Sequence, residues 1–385
     1  MELLRRFFQP PRRSFFLFGP RGTGKSTWLR HALPEALVVD LLQPDVAREL
    51  AARPERLRDL VLGAPGRPTV VLDEVQRVPE LLNVVHALLE SKDRRRFVLT
   101  GSSARKLRRG GVDLLAGRAV VRTLHPFMAA ELDRFDIDVA LTRGLLPLVV
   151  AADRPEDVLR AYASLYLDEE VRLEGWARSA GAFARFLEVI SFSHAAVLNV
   201  ANVARECQVE RKTVAAYVEV LEDLLLSFRV PVFTRRARRD TSMHPKFFLF
   251  DAGIFRSIRP RGPLDRPAEI EGAAIEGLVA QHLRAWLAYS GSDAEIFFWR
   301  TRSGVEVDFV IYGAAGFWAI EVKNTGRVRP EDLRGLAAFA ADYPRAEVVM
   351  LYRGTRRERR GRVWILPIER FLRDLHPARD LPIPA

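Results

Sequence analysis

Short apolar runs punctuate the first third of the chain, at residues 15–18, 36–40, 69–73, 97–100 and 119–121. Each is too short for a helix, and most are rich in Val, Leu or Phe. The stretches between them carry apolar residues at three-to-four spacing, as in Leu81, Leu82, Val85, Leu88 and Leu89. Strands alternating with helices predict a parallel sheet covered on both faces. From about residue 124 the alternation stops. Residues 127–135, 155–173 and 181–195 have helical spacing and predict a helical lid or bridge. Residues 198–209 and 210–221 then read as a helix-turn-helix, followed by apolar runs at 230–233 and 247–250 that flank a cluster of arginines, a two-stranded wing. An Arg-, Pro- and Gly-rich linker at 256–267 leads to a helix (270–288), three strands (295–300, 305–311, 317–323), a helix (330–343) and a strand (347–352). The expected fold class is α/β in four segments: 1–125, 126–195, 196–258 and 259–385.

The loop after the first strand reads Gly19-Pro20-Arg21-Gly22-Thr23-Gly24-Lys25-Ser26. Strand, G-x-x-x-x-G-K-S, then helix is the context of a phosphate-binding P-loop. Glycines let consecutive N–H groups turn toward phosphates, and the helix N-terminus adds its dipole. Gly19, Gly22, Thr23, Gly24, Lys25, Ser26 and Thr27 are the candidate ATP contacts, with Lys25 on the β- and γ-phosphates and Ser26 on Mg²⁺. The run Thr69-Val70-Val71-Leu72-Asp73-Glu74 ends in two acids, a Walker B pattern. Asp73 is the expected Mg²⁺ partner and Glu74 the group that polarises attacking water. Thr100 and Ser102, at the tip of the next strand, are the sensor candidates for the γ-phosphate.

Composition sharpens this picture. The chain has 385 residues, enough for two or three cores, and a formal charge of +11. Such basicity suits a polyanionic partner, DNA first. No apolar run approaches the ~20 residues of a membrane span, and the N-terminus lacks a signal-peptide core. The single cysteine, Cys207, excludes disulfides within one chain. A cytoplasmic location is the expectation. Only six lysines occur among the 60 Lys and Arg residues, so a lysine at a chemically demanding position carries weight. At the start of the second helix of the helix-turn-helix, Arg211, Lys212 and Thr213 are candidate DNA contacts, joined by Arg235, Arg236, Arg238 and Arg239 of the wing. Asp168-Glu169-Glu170 reads as a solvated helix face.

The combination of GPRGTGKS, VVLDEVQRVP, LTGSSARKL and LLAGR resembles one clade of prokaryotic AAA-type ATPases. The resemblance covers almost the whole chain. It implies a P-loop ATPase core (1–125), a helical lid (126–195), a winged helix (196–258) and a restriction-endonuclease-like α/β domain (259–385). It also implies an arginine finger given to a neighbour's ATP site, Arg118 in preference to Arg105, and hence a ring, with a hexamer the first expectation.

Glu276, Asp308 and the triplet Glu321-x-Lys323 fall onto the C-terminal order of elements and resemble a PD-(D/E)xK nuclease site of the Holliday-junction-resolvase kind. Period-two alternation puts Glu321 and Lys323 on one face of a strand. Asp308 and Glu321 are the expected Mg²⁺ ligands, Lys323 the group that orients or deprotonates water, and Glu276 the completing acid. Val307 stands where the family has proline. Together these features predict an ATPase acting on duplex or branched DNA. The alternative is a nucleotide-switch regulator whose nuclease-like domain is silent and serves as an interaction module.

Overall fold

The computed structural model describes residues 5–91, 95–102, 115–166, 180–235, 244–263 and 265–384. The chain gathers into two compact units: Phe8–His125 with Glu222–Leu226, and Met1–Phe7 with Pro126–Leu221 and Ser227–Ala385.

The first unit is built on five strands: β1 (Phe15–Phe18), β2 (Leu37–Asp40), β3 (Thr69–Asp73), β4 (Arg96–Gly101) and β5 (Val120–Thr123). They pair in the order β2-β3-β4-β1-β5, all parallel. Strands β1 and β3 are buried at every position, as expected where helices cover both faces. Leu81, Leu82, Val85 and Leu88 of the helix Leu81–Glu90 join Leu50, Leu57 and Val61 in its core. Strand β4 lies between the P-loop strand and the Walker B strand, so its tip stands between the two candidate sets of phosphate-handling residues.

In the second unit, the expected helix at 127–135 is replaced by a single 3₁₀ turn, Ala129–Glu131. The buried Glu131 carboxylate takes the N–H groups of Met128 and Phe7 and the Arg6 guanidinium, which fixes an irregular path. The helix forms later, over Ile137–Arg143, where Asp136 caps the N–H groups of Asp138 and Val139.

Helix Val200–Cys207 is capped by Asn199 and ends at Gln208 in the left-handed conformation. Helix Arg211–Asp223 follows. Strands β6 (Ala196–Val197), β7 (Ser227–Val230) and β8 (Lys246–Leu249) form an antiparallel sheet in the order β6-β8-β7. The strand of the expected wing lies at Ser227–Val230 and not over 230–233. After Val230 the chain leaves this sheet, because Pro231 has no N–H with which to continue the ladder. Phe298 instead bridges Val232, accepting the Phe233 N–H at its carbonyl (2.7 Å) and donating its own N–H to the Pro231 carbonyl (2.9 Å). The Phe233 ring is buried among Phe317, Phe339 and Tyr343.

The last six strands are β9 (Glu295–Arg300), β10 (Glu306–Gly313), β11 (Gly316–Lys323), β12 (Glu347–Tyr352), β13 (Glu358–Arg360) and β14 (Val363–Pro367), ordered β13-β14-β12-β11-β10-β9. Helix Arg334–Asp342 contributes Leu336 and Phe339 to the core on this sheet. The long helix Pro267–Ser290 also packs on this sheet and is buried along most of its length. Its Gly277 is required by close approach: a Cβ there would lie 2.3 Å from the His194 ring. No helix among the described residues is long and apolar enough to cross a membrane.

His282, on the same helix, is locked as a neutral imidazole. Its Nδ1 faces the Leu278 carbonyl at 2.8 Å, while Nε2 accepts the Ala129 N–H at 2.9 Å. Burial pushes its pKa down from 6.5 to about 4. The folded state therefore resists a proton that the unfolded chain accepts, so this contribution is present above pH 6.5 and is lost as pH falls toward 4. Between pH 6.5 and 5 the expected loss is about 1.5 kcal/mol. Urea unfolding at both pH values should show it in the wild type and show a flatter dependence in His282→Gln. Equal slopes in the two proteins would contradict the assignment.

Candidate functional site

Two constellations stand out, one in each unit. In the first, the turn from β1 into helix Lys25–Ala32 passes through Gly22 (φ 84°) and Gly24 (φ 83°), backbone conformations that favour glycine. Gly19 is needed for a different reason, since a Cβ there would lie 2.6 Å from the Leu124 carbonyl at the end of β5. The Lys25 ammonium is buried and donates to the loop's own carbonyls, Gly19 at 2.8 Å and Pro20 at 3.4 Å. Thr23 is wholly buried, with its hydroxyl donating to the Pro20 carbonyl at 2.8 Å. It therefore shapes the loop. Ser26 is half-buried and Thr27 exposed at the helix start.

Asp73 is buried at the end of β3, and Glu74 follows in the left-handed conformation (φ 61°). The Thr100 hydroxyl donates to Asp73 Oδ1 and accepts the Glu74 N–H at 3.0 Å. Thr100 thus holds the acidic pair in place, and its single proton is spent on Asp73. Sequence reasoning missed Gln76, whose amide donates to the Glu74 carboxylate and reaches the Ser102 hydroxyl at 3.4 Å. Its signal was only a polar residue two positions after Glu74. The Ser26 hydroxyl and Asp73 carboxylate are hard oxygen donors suited to Mg²⁺, and the buried lysine and glycine loop suit a nucleotide's phosphates. Arg118 is exposed and pairs with Glu90. Arg105 lies outside the described residues, as do Arg236, Arg238, Arg239 and Asp168-Glu169-Glu170.

The second constellation gathers Glu276 from helix Pro267–Ser290, Asp308 from β10, and Glu321 and Lys323 from β11. Antiparallel pairing of Phe309 with Ile320 places Asp308 and Glu321 next to each other across the strands. The register of β10 with β9 slips between Val307 and Val310, a local irregularity at Asp308. Lys323 Nζ lies 2.7 Å from Glu321 Oε1, and Asp308 Oδ2 accepts the Val322 N–H at 2.9 Å. Glu321 Oε2 is buried with no hydrogen-bond partner.

A fifth residue, Lys246 at the start of β8, was not expected here. Its ammonium is 2% exposed and lies 2.8 Å from Glu276 Oε1 and 3.0 Å from Asp308 Oδ1. It also pairs with Glu306 Oε1, and Glu306 in turn sits 3.3 Å from Arg300. Burial, and then the nearby Asp308, push the carboxyls of Glu276 and Glu321 up to about 8. Burial works against the Lys246 charge, but Glu276, Asp308 and Glu306 outweigh it and hold its ammonium well above the usual range. Among the described residues no group of three or more His, Cys, Asp or Glu side chains is arranged to hold a metal ion. The donor set of Asp308 and Glu321 suits Mg²⁺ in kind, and Glu321 Oε2 is an open acceptor, but Lys246 and the Val322 N–H already occupy both Asp308 oxygens.

Of the expected DNA contacts, Arg211 and Lys212 are exposed at the start of helix Arg211–Asp223, and Thr213 is half-buried. Arg235 is committed within its own unit, 3.1 Å from Glu295 and stacked 4.9 Å over the Tyr312 ring.

Residues 11–133 match the family described as an AAA domain, whose members are ATPases as a class. Residues 134–265 match a domain of unknown function (DUF8612), and residues 271–371 another (DUF4143). No curated protein matches the chain. Among solved structures, similarity is found to the Pif1 helicase from Candida albicans (16% identity, TM-score 0.21), covering 40% of this chain and 44% of the helicase. A type III CRISPR defence DNA nuclease activated by cyclic oligoadenylate matches at 13% identity and TM-score 0.22, over 98% of this chain and 54% of that one. Protein VC1899 from Vibrio cholerae matches at 9% identity and TM-score 0.22, over 94% and 96%. The chain thus spans about half the length of the first two, and scores this low carry no argument. The N-terminal domain is of AAA-type ATPase kind, set on a parallel sheet in a mixed α/β protein.

Proposed function

We propose that this chain is an ATP-hydrolysing protein that acts on duplex or branched DNA, remodelling it with ATP and cutting it with a Mg²⁺-dependent C-terminal site. The observation that carries the second half is the convergence of Glu276, Asp308, Glu321 and Lys323 from one helix and two adjacent strands. In this reading the helices Val200–Cys207 and Arg211–Asp223 with β6, β7 and β8 are a winged helix. Arg211 and Lys212 meet phosphates, and Thr213 lies at the rim of that contact. Residues 259–385, with strands β9 to β14, are a restriction-endonuclease-like nuclease domain, and residues 126–195 are the lid. Arg118 leaves Glu90 to complete a neighbour's ATP site in a hexameric ring. The location is cytoplasmic.

At the ATP site, Mg²⁺ held by Ser26 and Asp73 would neutralise phosphate charge. Lys25 moves from loop carbonyls to the β- and γ-phosphates, Thr100 fixes Asp73, and Glu74 orients the attacking water. At the C-terminal site, Asp308 and Glu321 would hold the ion, and Lys323 orients water toward a DNA phosphate.

A second reading, a nucleotide switch with a silent nuclease-like domain, is favoured by one observation: Lys246 already fills the carboxylate cluster. Labelled four-way junctions incubated with Mg²⁺, with and without ATP, separate the two. The proposal expects cuts that vanish in Asp308→Ala. Cutting that persists in that variant removes the site assignment. Branch movement without cuts leaves a motor, and neither cuts nor movement favours the switch.

A further inference from the structure

We propose that Lys246 is the resident cation of the cluster formed by Glu276, Glu306 and Asp308, and that a divalent ion enters this cluster only by displacing its ammonium. The inference concerns the same carboxylates that the proposed function gives to Mg²⁺. It is carried by geometry.

An ammonium has three protons to donate, and three carboxylates meet them: Glu276 at 2.8 Å, Asp308 at 3.0 Å and Glu306. The three come from two elements, the helix Pro267–Ser290 and two positions of β10, and the lysine is placed where they converge. Its side chain is 2% exposed, which leaves water almost no share in its solvation. The stem is fixed as well. Lys246 pairs with Val197 on one side and Val230 on the other, in the central strand of its sheet, and its ammonium lies 5.5 Å from the Phe298 ring. With only six lysines in a chain whose other cationic side chains are all arginine, a compact charge at this point is notable. A guanidinium is planar and larger, and could not meet three converging carboxylates in this space.

Asp308 is then the contested residue. One of its oxygens accepts from Lys246 and the other from the Val322 N–H, so an incoming ion competes with both donors for this carboxylate. Glu321 differs. Its Oε2 is buried and unpartnered. A divalent ion seated between Asp308 and Glu321 would stand against the Lys246 charge in a largely buried site, where repulsion is stronger than in water. Entry of the ion therefore opposes retention of the ammonium at Asp308. The backbone of Lys246 is held in β8 between Val197 and Val230, so its ammonium leaves the cluster by a swing of the four-carbon stem or by a shift of that strand.

The test is Mn²⁺ binding to the nucleotide-free full-length chain, by calorimetry and by thermal shift. Asp308→Asn alone should give the same Mn²⁺ titration as the wild type. Lys246→Met should gain one Mn²⁺ site at least 10-fold tighter, together with a Mn²⁺-dependent rise in melting temperature, and Lys246→Met/Asp308→Asn should lose both. A wild-type site that depends on Asp308 and is as tight as that of Lys246→Met overturns the proposal, as does a folded Lys246→Met that binds no Mn²⁺. Lys246→Gln stands in if the methionine variant does not fold.

Lysine acylation read by mass spectrometry works on the wild type itself. Lys246 should react at least 10-fold more slowly than the exposed Lys212, and should speed up in Glu276→Gln/Asp308→Asn. Equal rates for the two lysines in the wild type overturn the resident role. Neither readout uses DNA or ATP, so its failure leaves the proposed action on DNA standing, and inactivity on DNA leaves this site standing.

Discussion

Lys25→Ala should abolish nucleotide-dependent behaviour, lowering ATP turnover ~10²- to 10³-fold and removing the thermal stabilisation that ATP confers. The Lys25 ammonium is buried at the mouth of helix Lys25–Ala32 and bonded to the carbonyls of Gly19 and Pro20. Phosphate oxygens are far stronger acceptors, so nucleotide draws the lysine off its own loop and the contact becomes charge-assisted. Glu74→Gln makes the complementary case. Its backbone conformation and its contact with Gln76 survive, so ATP should still stabilise the protein while turnover falls by a similar factor. Binding and turnover lost together in one variant, and turnover alone in the other, is the signature of the two roles. A Lys25→Ala protein that hydrolyses ATP at the wild-type rate would refute the site.

The second large effect is structural. Phe233→Ala should cost about 3–5 kcal/mol of stability, the usual range for deleting a buried aromatic ring. The ring is wholly buried and touches Phe297, Tyr312, Phe317, Phe339 and Tyr343. Were it part of an exposed wing, the loss would be under about 1 kcal/mol. Denaturant unfolding of both proteins decides between these values.

Much of the framework was legible because its signals are local. Four consecutive buried residues make β1, Gly22 and Gly24 supply the turn, and period-two spacing brings Glu321 and Lys323 onto one face. Asp308 and Glu276 followed from the order of the elements. The rest depended on partners far along the chain. Lys246 heads an apolar run, Lys-Phe-Phe-Leu, and by pattern is the polar start of a strand; its meaning comes from carboxylates 30, 60 and 62 positions away. Phe233 looks like a strand residue in either sheet, and only Pro231 hinted that the ladder breaks there. The helical spacing at 127–135 was real, but one buried carboxylate, Glu131, collects the N–H groups of Met128 and Phe7 and holds the segment irregular. Periodicity tells which face of a segment is apolar. It does not tell which buried charge will claim the backbone.

If ATP turnover serves an action on DNA, turnover by the full-length chain titrated with duplex and four-way DNA at low salt should rise several-fold with either DNA, and added salt should weaken that rise steeply. The rise should be lost in Arg211→Glu/Lys212→Glu, with the DNA-free rate unchanged. Turnover that neither DNA alters would rule out the proposed action on DNA.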